Sequence, residues 1–300
     1  IGSWDVSAGN DFSGMFAGAS NFNQDISSWD VSSGTDFMSM FAGASIFNQN
    51  ISNWDVSETA ALSGMFDEAD LMLSNQGFNS TPTSAEFNLT VFTDRTSLDT
   101  AVAEWIADEP SATDTYGNIN TWDVSAITDF SDLFAGQVGF NSDISSWDVS
   151  AGTDFSGMFS QADAFNQNIS SWDVSSGTDF SGMFSQADVF NQDIGSWNVS
   201  SGNDFSEMFY LAILFNQDLT NWDVSSGTNF NSMFDSNPSF NGDLSGWDVS
   251  SGENFTYMFY DTSSLDQDLS NWNVGSATDM LGMFYGTSNF NSDLSSWDVS

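Results

Sequence analysis

Nine aspartates each follow a tryptophan in one repeating frame: Asp5, Asp30, Asp55, Asp123, Asp148, Asp173, Asp223, Asp248 and Asp298. Asn198 and Asn273 fill the same place in two further copies. If the copies stack in register, these side chains stand roughly 4.8 Å apart along one exposed face. Neighbouring carboxylates would then repel by about 1 kcal/mol in water and roughly 3 kcal/mol at an effective dielectric of 20. Salt weakens this, because the Debye length is about 8 Å at physiological ionic strength. A hard divalent cation reverses the sign by bridging oxygen ligands. The nine residues are therefore a candidate calcium ladder, calcium being the one cofactor the sequence suggests. The competing reading is a solvated acidic face supported by serine hydroxyls.

Other positions recur with the same period. Asn23, Asn48, Asn141, Asn166, Asn191, Asn216, Asn241 and Asn291 each follow a Phe. An inward Asn there could satisfy backbone groups of adjacent copies and form an amide ladder. Two residues later comes Asp or Asn, as in Asp25, Asn50, Asp143, Asn168, Asp193, Asp218, Asp243, Asp268 and Asp293. The free exchange of Asp with Asn points to Asx turns, set by geometry more than by charge. Arg95 is the sole basic side chain and is expected to pair with Asp94 or Asp99. N-x-Ser/Thr sequons stand at Asn50, Asn79, Asn88, Asn168, Asn198 and Asn254, and glycans there would require a secreted eukaryotic protein.

Composition narrows the function classes. There is no Cys and no His, and one Lys+Arg faces 42 Asp+Glu, for a formal net charge of -41. Disulfides, thiolate metal sites and cysteine nucleophiles are thereby removed. So are the commonest general base and metal ligand. No acidic pair breaks the repeat as an inserted active site would, so an enzyme is not expected. The charge repels nucleic acid and anionic membranes, while favouring cations and basic proteins. No apolar run approaches the roughly 20 residues needed to cross a bilayer.

The elements that would position these residues follow from the 25-residue spacing of Trp4, Trp29 and Trp54, and again of Trp122, Trp147, Trp172, Trp197, Trp222, Trp247, Trp272 and Trp297. A fixed period of this length signals a repeat solenoid. Ile26, Trp29 and Val31 have leucine-rich-repeat spacing, which predicts a short parallel β-strand with Asp30 facing outward. Gly34 and its counterparts (Gly9, Gly152, Gly177, Gly202, Gly227 and Gly252) suggest a positive φ or a close backbone approach. Thr35 could cap a short helix whose one-sided stripe is Phe37, Met40, Phe41 and Ala44. Each coil thus reads as a leucine-rich-repeat-like strand plus a short helix. The tryptophan stripe is read as core, not as a carbohydrate platform.

The period breaks between Trp54 and Trp122. A helix is expected there, with Thr96 as N-cap, Leu98, Ala101, Val102, Trp105 and Ile106 on one face, and Pro110 at its end. We therefore read residues 1–78 as the C-terminal coils of a first array. Residues 79–118 form a linker and amphipathic capping helix, and 119–300 form a second array in tandem.

Trp147-Asp148-Val149-Ser150, Thr153-Asp154-Phe155, Met158-Phe159 and Phe165-Asn166 resemble the bacterial surface protein 26-residue repeat family, the BspA-like leucine-rich-repeat surface proteins. Phe92-Thr93-Asp94-Arg95 through Tyr116-Gly117 resembles the segment that opens arrays in that family. The resemblance covers nearly the whole chain. It implies a secreted or surface-attached, non-enzymatic protein, with no ligand fixed and no catalytic residues to transfer. One departure is Gly where the family carries Val before Thr-Asp; only Ile127 keeps a large apolar group there.

The functional expectation is an extracellular structural repeat protein, a rigid segment of a cell-surface fibre, filament or layer, with divalent cations as candidate stabilisers. Its partners would be further copies of itself or neighbouring surface proteins. The alternative is a cell-surface adhesion module that binds a protein or glycan on a concave sheet.

Overall fold

The computed structural model describes all residues except 52, 53, 58, 76, 77, 85, 86, 88, 89 and 300. Among the described residues three α-helices interrupt the repeat: α1 (Asp70–Asn75), α2 (Arg95–Ala107) and α3 (Glu109–Tyr116). Among the described residues no helix is long and apolar enough to cross a membrane. The chain divides into two compact units, one made of Ile1–Val91 with Ala103–Asp123, the other of Phe92–Val102 with Val124–Ser300.

The expected coil of strand plus helix is not what forms. Among the described residues there is no β-strand and no sheet, only isolated parallel bridges such as Asp129↔Asp154, Asp154↔Asp179 and Asp179↔Asp204. Apart from Val91↔Asp123, these bridges lie at the position that precedes the first inward Phe, Leu or Met of a coil, not on the Trp-Asp-Val segment. In that segment the Trp172 N–H turns back onto the Ile169 carbonyl at 3.1 Å, and the Gly177 N–H onto that of Val174 at 2.8 Å. Backbone committed to such local turns is not available for a ladder.

The expected helix also resolves into turns, and the reason is visible in the donors. From Phe155 onward, alternate N–H groups leave the coil. Phe155, Gly157, Phe159 and Gln161 donate to Asp179, Ser181, Met183 and Ser185 of the next coil at 2.7–2.9 Å. Those between them stay local: Met158 donates to Phe155, Ser160 to Gly157 and Ala162 to Phe159, each three residues back. A helix needs every N–H for the carbonyl four residues earlier, so this alternation excludes one. Gly157 (φ 62) and Gln161 (φ 59) take the left-handed conformation that lets consecutive turns follow one another.

The inward set matches the sequence pattern. In the second unit Trp172, Val174, Phe180, Met183, Phe184 and Phe190 are all buried. Phe130, Phe155, Phe180, Phe205, Phe230 and Phe255 form a column with ring centroids 5.4–5.7 Å apart. A second column runs Phe134, Phe159, Phe184, Phe209, Phe234, Phe259 and Phe284 at 5.5–5.7 Å. Each buried ring contributes on the order of 2 kcal/mol by leaving water, and stacked pairs add about 0.5–1.5 kcal/mol. The first unit packs the same way around Phe37, Phe41, Phe47, Trp54 and Phe66.

The recurring glycine is explained by close approach. Gly177 does not take a positive φ, and a Cβ there would lie 2.4 Å from Cζ of Phe180. Each coil that carries this glycine therefore lays its first Phe ring over it.

The interrupting helix begins earlier than expected. Asp94, not Thr96, caps α2, its Oδ1 accepting from the Ser97 N–H at 3.0 Å. Leu98, Ala101, Val102 and Trp105 are buried, whereas Ile106 is exposed. Pro110 opens α3 behind the N-cap Asp108, as suits a residue with no N–H to offer the first turn.

Candidate functional site

The aspartates after Trp lie on the surface. Asp5, Asp30, Asp55, Asp148, Asp173, Asp223, Asp248 and Asp298 are exposed, and Asp123 is half-buried. Oδ1 of Asp30 accepts the hydroxyl of Ser32 at 2.7 Å and its N–H at 3.1 Å. Asp5 is bound in the same way by Ser7, Asp148 by Ser150 and Asp223 by Ser225. Ser hydroxyl donation, then the Ser N–H, holds the carboxyls of Asp5, Asp30, Asp173, Asp223 and Asp248 below the usual carboxylate range. Repulsion from the adjacent coil is a lesser, opposing effect, felt by Asp30 from Asp5 and by Asp248 from Asp223. Asp123 differs, since it forms a parallel bridge with Val91 and donates its N–H to Thr90 at 2.9 Å. Among the described residues no group of three or more acidic side chains is gathered closely enough to hold a metal ion. A cation on this row would have to sit between successive coils and complete its shell with solvent.

The Asn row forms an amide ladder, but at the surface and not inside. Oδ1 of Asn166 accepts the Asn191 N–H at 3.0 Å, and Gln192 adds its Nε2 to the Asn166 carbonyl at 2.9 Å. The same pattern links Asn191 to Asn216 and Gln217. The following Asp/Asn positions close Asx turns, as with Asn168 to Ser170 and Asp243 to Ser245. From Trp172 to Trp272 the indoles point inward and donate across the coil junction, for example Trp197 Nε1 to Ile169 at 3.1 Å. Of the sequons, Asn50, Asn79, Asn168 and Asn198 are exposed, Asn254 is half-buried, and Asn88 lies outside the described residues.

Arg95 pairs with Asp99 at 2.6 Å, as expected, and also with Asp129 at 3.1 Å. It further donates to the backbone carbonyls of Asp129 and Ser131. One coil later, the equivalent carbonyls of Asp154 and Ser156 accept the N–H groups of Phe130 and Asp132. The guanidinium thus fills the two acceptors that a preceding coil would otherwise fill.

Sequence reasoning missed one group. The residue after Met-Phe or Leu-Phe is Ala135, Ser160 and Ser185 in the early coils of the second unit. It becomes Tyr210, Asp235, Tyr260 and Tyr285 in the last four. Tyr260 stacks on Tyr285 with centroids 4.8 Å apart and meets Tyr257 edge-on at 5.4 Å. Burial raises the Asp235 carboxyl, opposed by hydrogen bonds from Ser236 and Ser232 and reinforced by Asp261 and Glu207. Comparing coils position by position would have exposed this departure, because the repeat conceals it only when averaged.

The family described as Mycoplasma protein of unknown function, DUF285, matches residues 1–105, 106–222 and 203–300. The chain belongs to this family. The three tandem matches to it run through the break in the period as well as through the regular coils. The curated proteins give no match, and the solved structures give none.

Proposed function

We propose that this member of the family is an extracellular structural repeat protein, a rigid length of a surface fibre, filament or layer, without catalytic activity of its own. One observation supports it most: the register-locked bonding of each coil to the next. Phe180, Gly182, Phe184 and Gln186 all donate backbone N–H groups to the following coil, while Thr178 and Asp179 donate back to Thr153. Bending the stack at one junction strains all these bonds and the aromatic columns together. Repeat arrays bound only to nearest neighbours lengthen without changing their cross-section, which suits a strut. The finer likeness to BspA-like surface proteins is part of this proposal, and the net charge of -41 argues against nucleic acid as a partner. Divalent cations would act on the Asp row by screening adjacent coils. Electron-microscope images of the native material should contain fibres or sheets. Monodisperse particles of single-chain length would overturn the structural reading. If EDTA leaves the melting temperature and assembly unchanged at moderate salt, the calcium component is lost.

The adhesion reading keeps one supporting observation, the tyrosine and acid row. It needs a different surface from the concave sheet first expected, since no sheet exists among the described residues.

A further inference from the structure

Four of the five tyrosines of the chain fall at Tyr210, Tyr257, Tyr260 and Tyr285. All lie in the turn around Met-Phe, on three of the last four coils of the second unit; the fourth carries Asp235 there. Earlier coils use small or polar residues at these places: Gly157 and Gly182 for Tyr257, Ser160 and Ser185 for Tyr260. Tyr257 even holds a left-handed backbone (φ 54) where Gly157, Gly182 and Gly282 stand in other coils. Nothing in the coil's own packing calls for a phenol there, since the glycine and serine coils bury the same Phe and Met columns.

The acids are placed with the rings. Asp261 follows Tyr260 in the chain, and Asp235 holds the same row one coil earlier, where the Ser236 N–H donates to the Tyr260 carbonyl at 2.7 Å. Burial first, then the Asp261 carboxylate and more weakly that of Asp235, raise the Tyr260 phenol; burial first, then Asp261 and Glu207, raise the Asp235 carboxyl. The chain offers them no cation: its one basic side chain, Arg95, is engaged at Asp99 and Asp129. Stacked phenol faces flanked by carboxylates match a planar guanidinium, which can lie on a ring face and hydrogen-bond to a carboxylate at once. We propose that the Tyr257, Tyr260 and Tyr285 cluster, with Asp235 and Asp261 beside it, is a docking surface for an arginine-bearing segment of a basic partner protein. It is independent of the fibre reading, which imaging tests separately.

The test uses the full 300-residue chain and a short capped peptide of alternating Arg and Gly, at about 0.15 M salt to suppress diffuse attraction. Calorimetry should give saturable binding, and the tyrosine ring NMR signals should shift. The paired substitutions Tyr260→Ser and Tyr285→Ser copy residues that the array already uses, so the fold is kept and every carboxylate remains. They should weaken binding roughly tenfold. Asp148→Asn and Asp173→Asn, which remove charge from the row after Trp, should leave it unchanged. The proposal is overturned if the serine variant binds within about twofold of the parent, or if the parent does not bind the peptide at all. It also fails if a neutral oligosaccharide shifts the ring signals and the peptide does not.

Discussion

Asn237 has two buried polar atoms, Nδ2 and Oδ1, with no hydrogen-bond partner. It occupies the row held by Ala162, Ala187 and Ala212 in the preceding coils, all fully buried. A buried amide without partners costs about 1–3 kcal/mol. Asn237→Ala should therefore stabilise the second unit by about that amount, seen as a higher denaturation midpoint by tryptophan fluorescence. A lower midpoint would show that the amide is satisfied. The surface aspartates act in the opposite direction. Those held by serine have lowered carboxyl values when folded, so their contribution is present above the unfolded carboxylate value of about 3.9 and is lost as pH falls through the folded values. Ser175→Ala and Ser225→Ala should each cost about 0.5 kcal/mol or less at neutral pH, because these pairs are solvent-screened. The difference should vanish in acid; one that stays constant with pH would remove the carboxylates from the account.

At the scale of the coil, the glycine and the Phe three residues later form a matched pair. Gly177→Ala drives a methyl into the Phe180 ring and should cost about 1–3 kcal/mol by overpacking. The last coil shows a compatible pair, Ala277 with Met280. Adding Phe180→Met to Gly177→Ala should thus recover part of the loss in a double-mutant cycle. Additive losses would sink the pairing. The same element marks where sequence reading stops. Trp, Val, Phe and Met were legible as core because burial recurs with the period. Strand and helix were not legible, since Phe37, Met40, Phe41 and Ala44 keep helical spacing across successive turns too. What separates the two is a left-handed backbone at Ser39 (φ 54) and Gly43 (φ 71), and serine gives no hint of it. The outward Asp row was readable from alternation with Trp and Val, and its Ser partners two residues on belonged to the reading of a solvated acidic face. The tyrosine row was hidden because the consensus frame was read in place of each coil's departures.

For the molecule as a whole, the first coil of the second unit matters most. Arg95 meets two carbonyls there as well as two carboxylates. Arg95→Met should lower the stability of that unit on the order of 2–3 kcal/mol. Arg95→Lys should restore little, because an ammonium cannot span both carbonyls as the planar fork does. A change below about 0.5 kcal/mol in denaturant titration would reduce Arg95 to an ordinary surface ion pair.

The bonds between coils also bear on how the chain folds. Their partners are separated by about one repeat, as in Asn166 to Asn191, 25 residues apart, and Trp197 to Ile169, 28 apart. Relative contact order therefore falls as coils are added, and no late pairing of distant chain ends is required. Folding rates in two-state proteins track that quantity, and stacked repeats propagate from a nucleus through nearest neighbours. Lengthening the regular array should thus leave the slow step, formation of the first few stacked coils, essentially untouched.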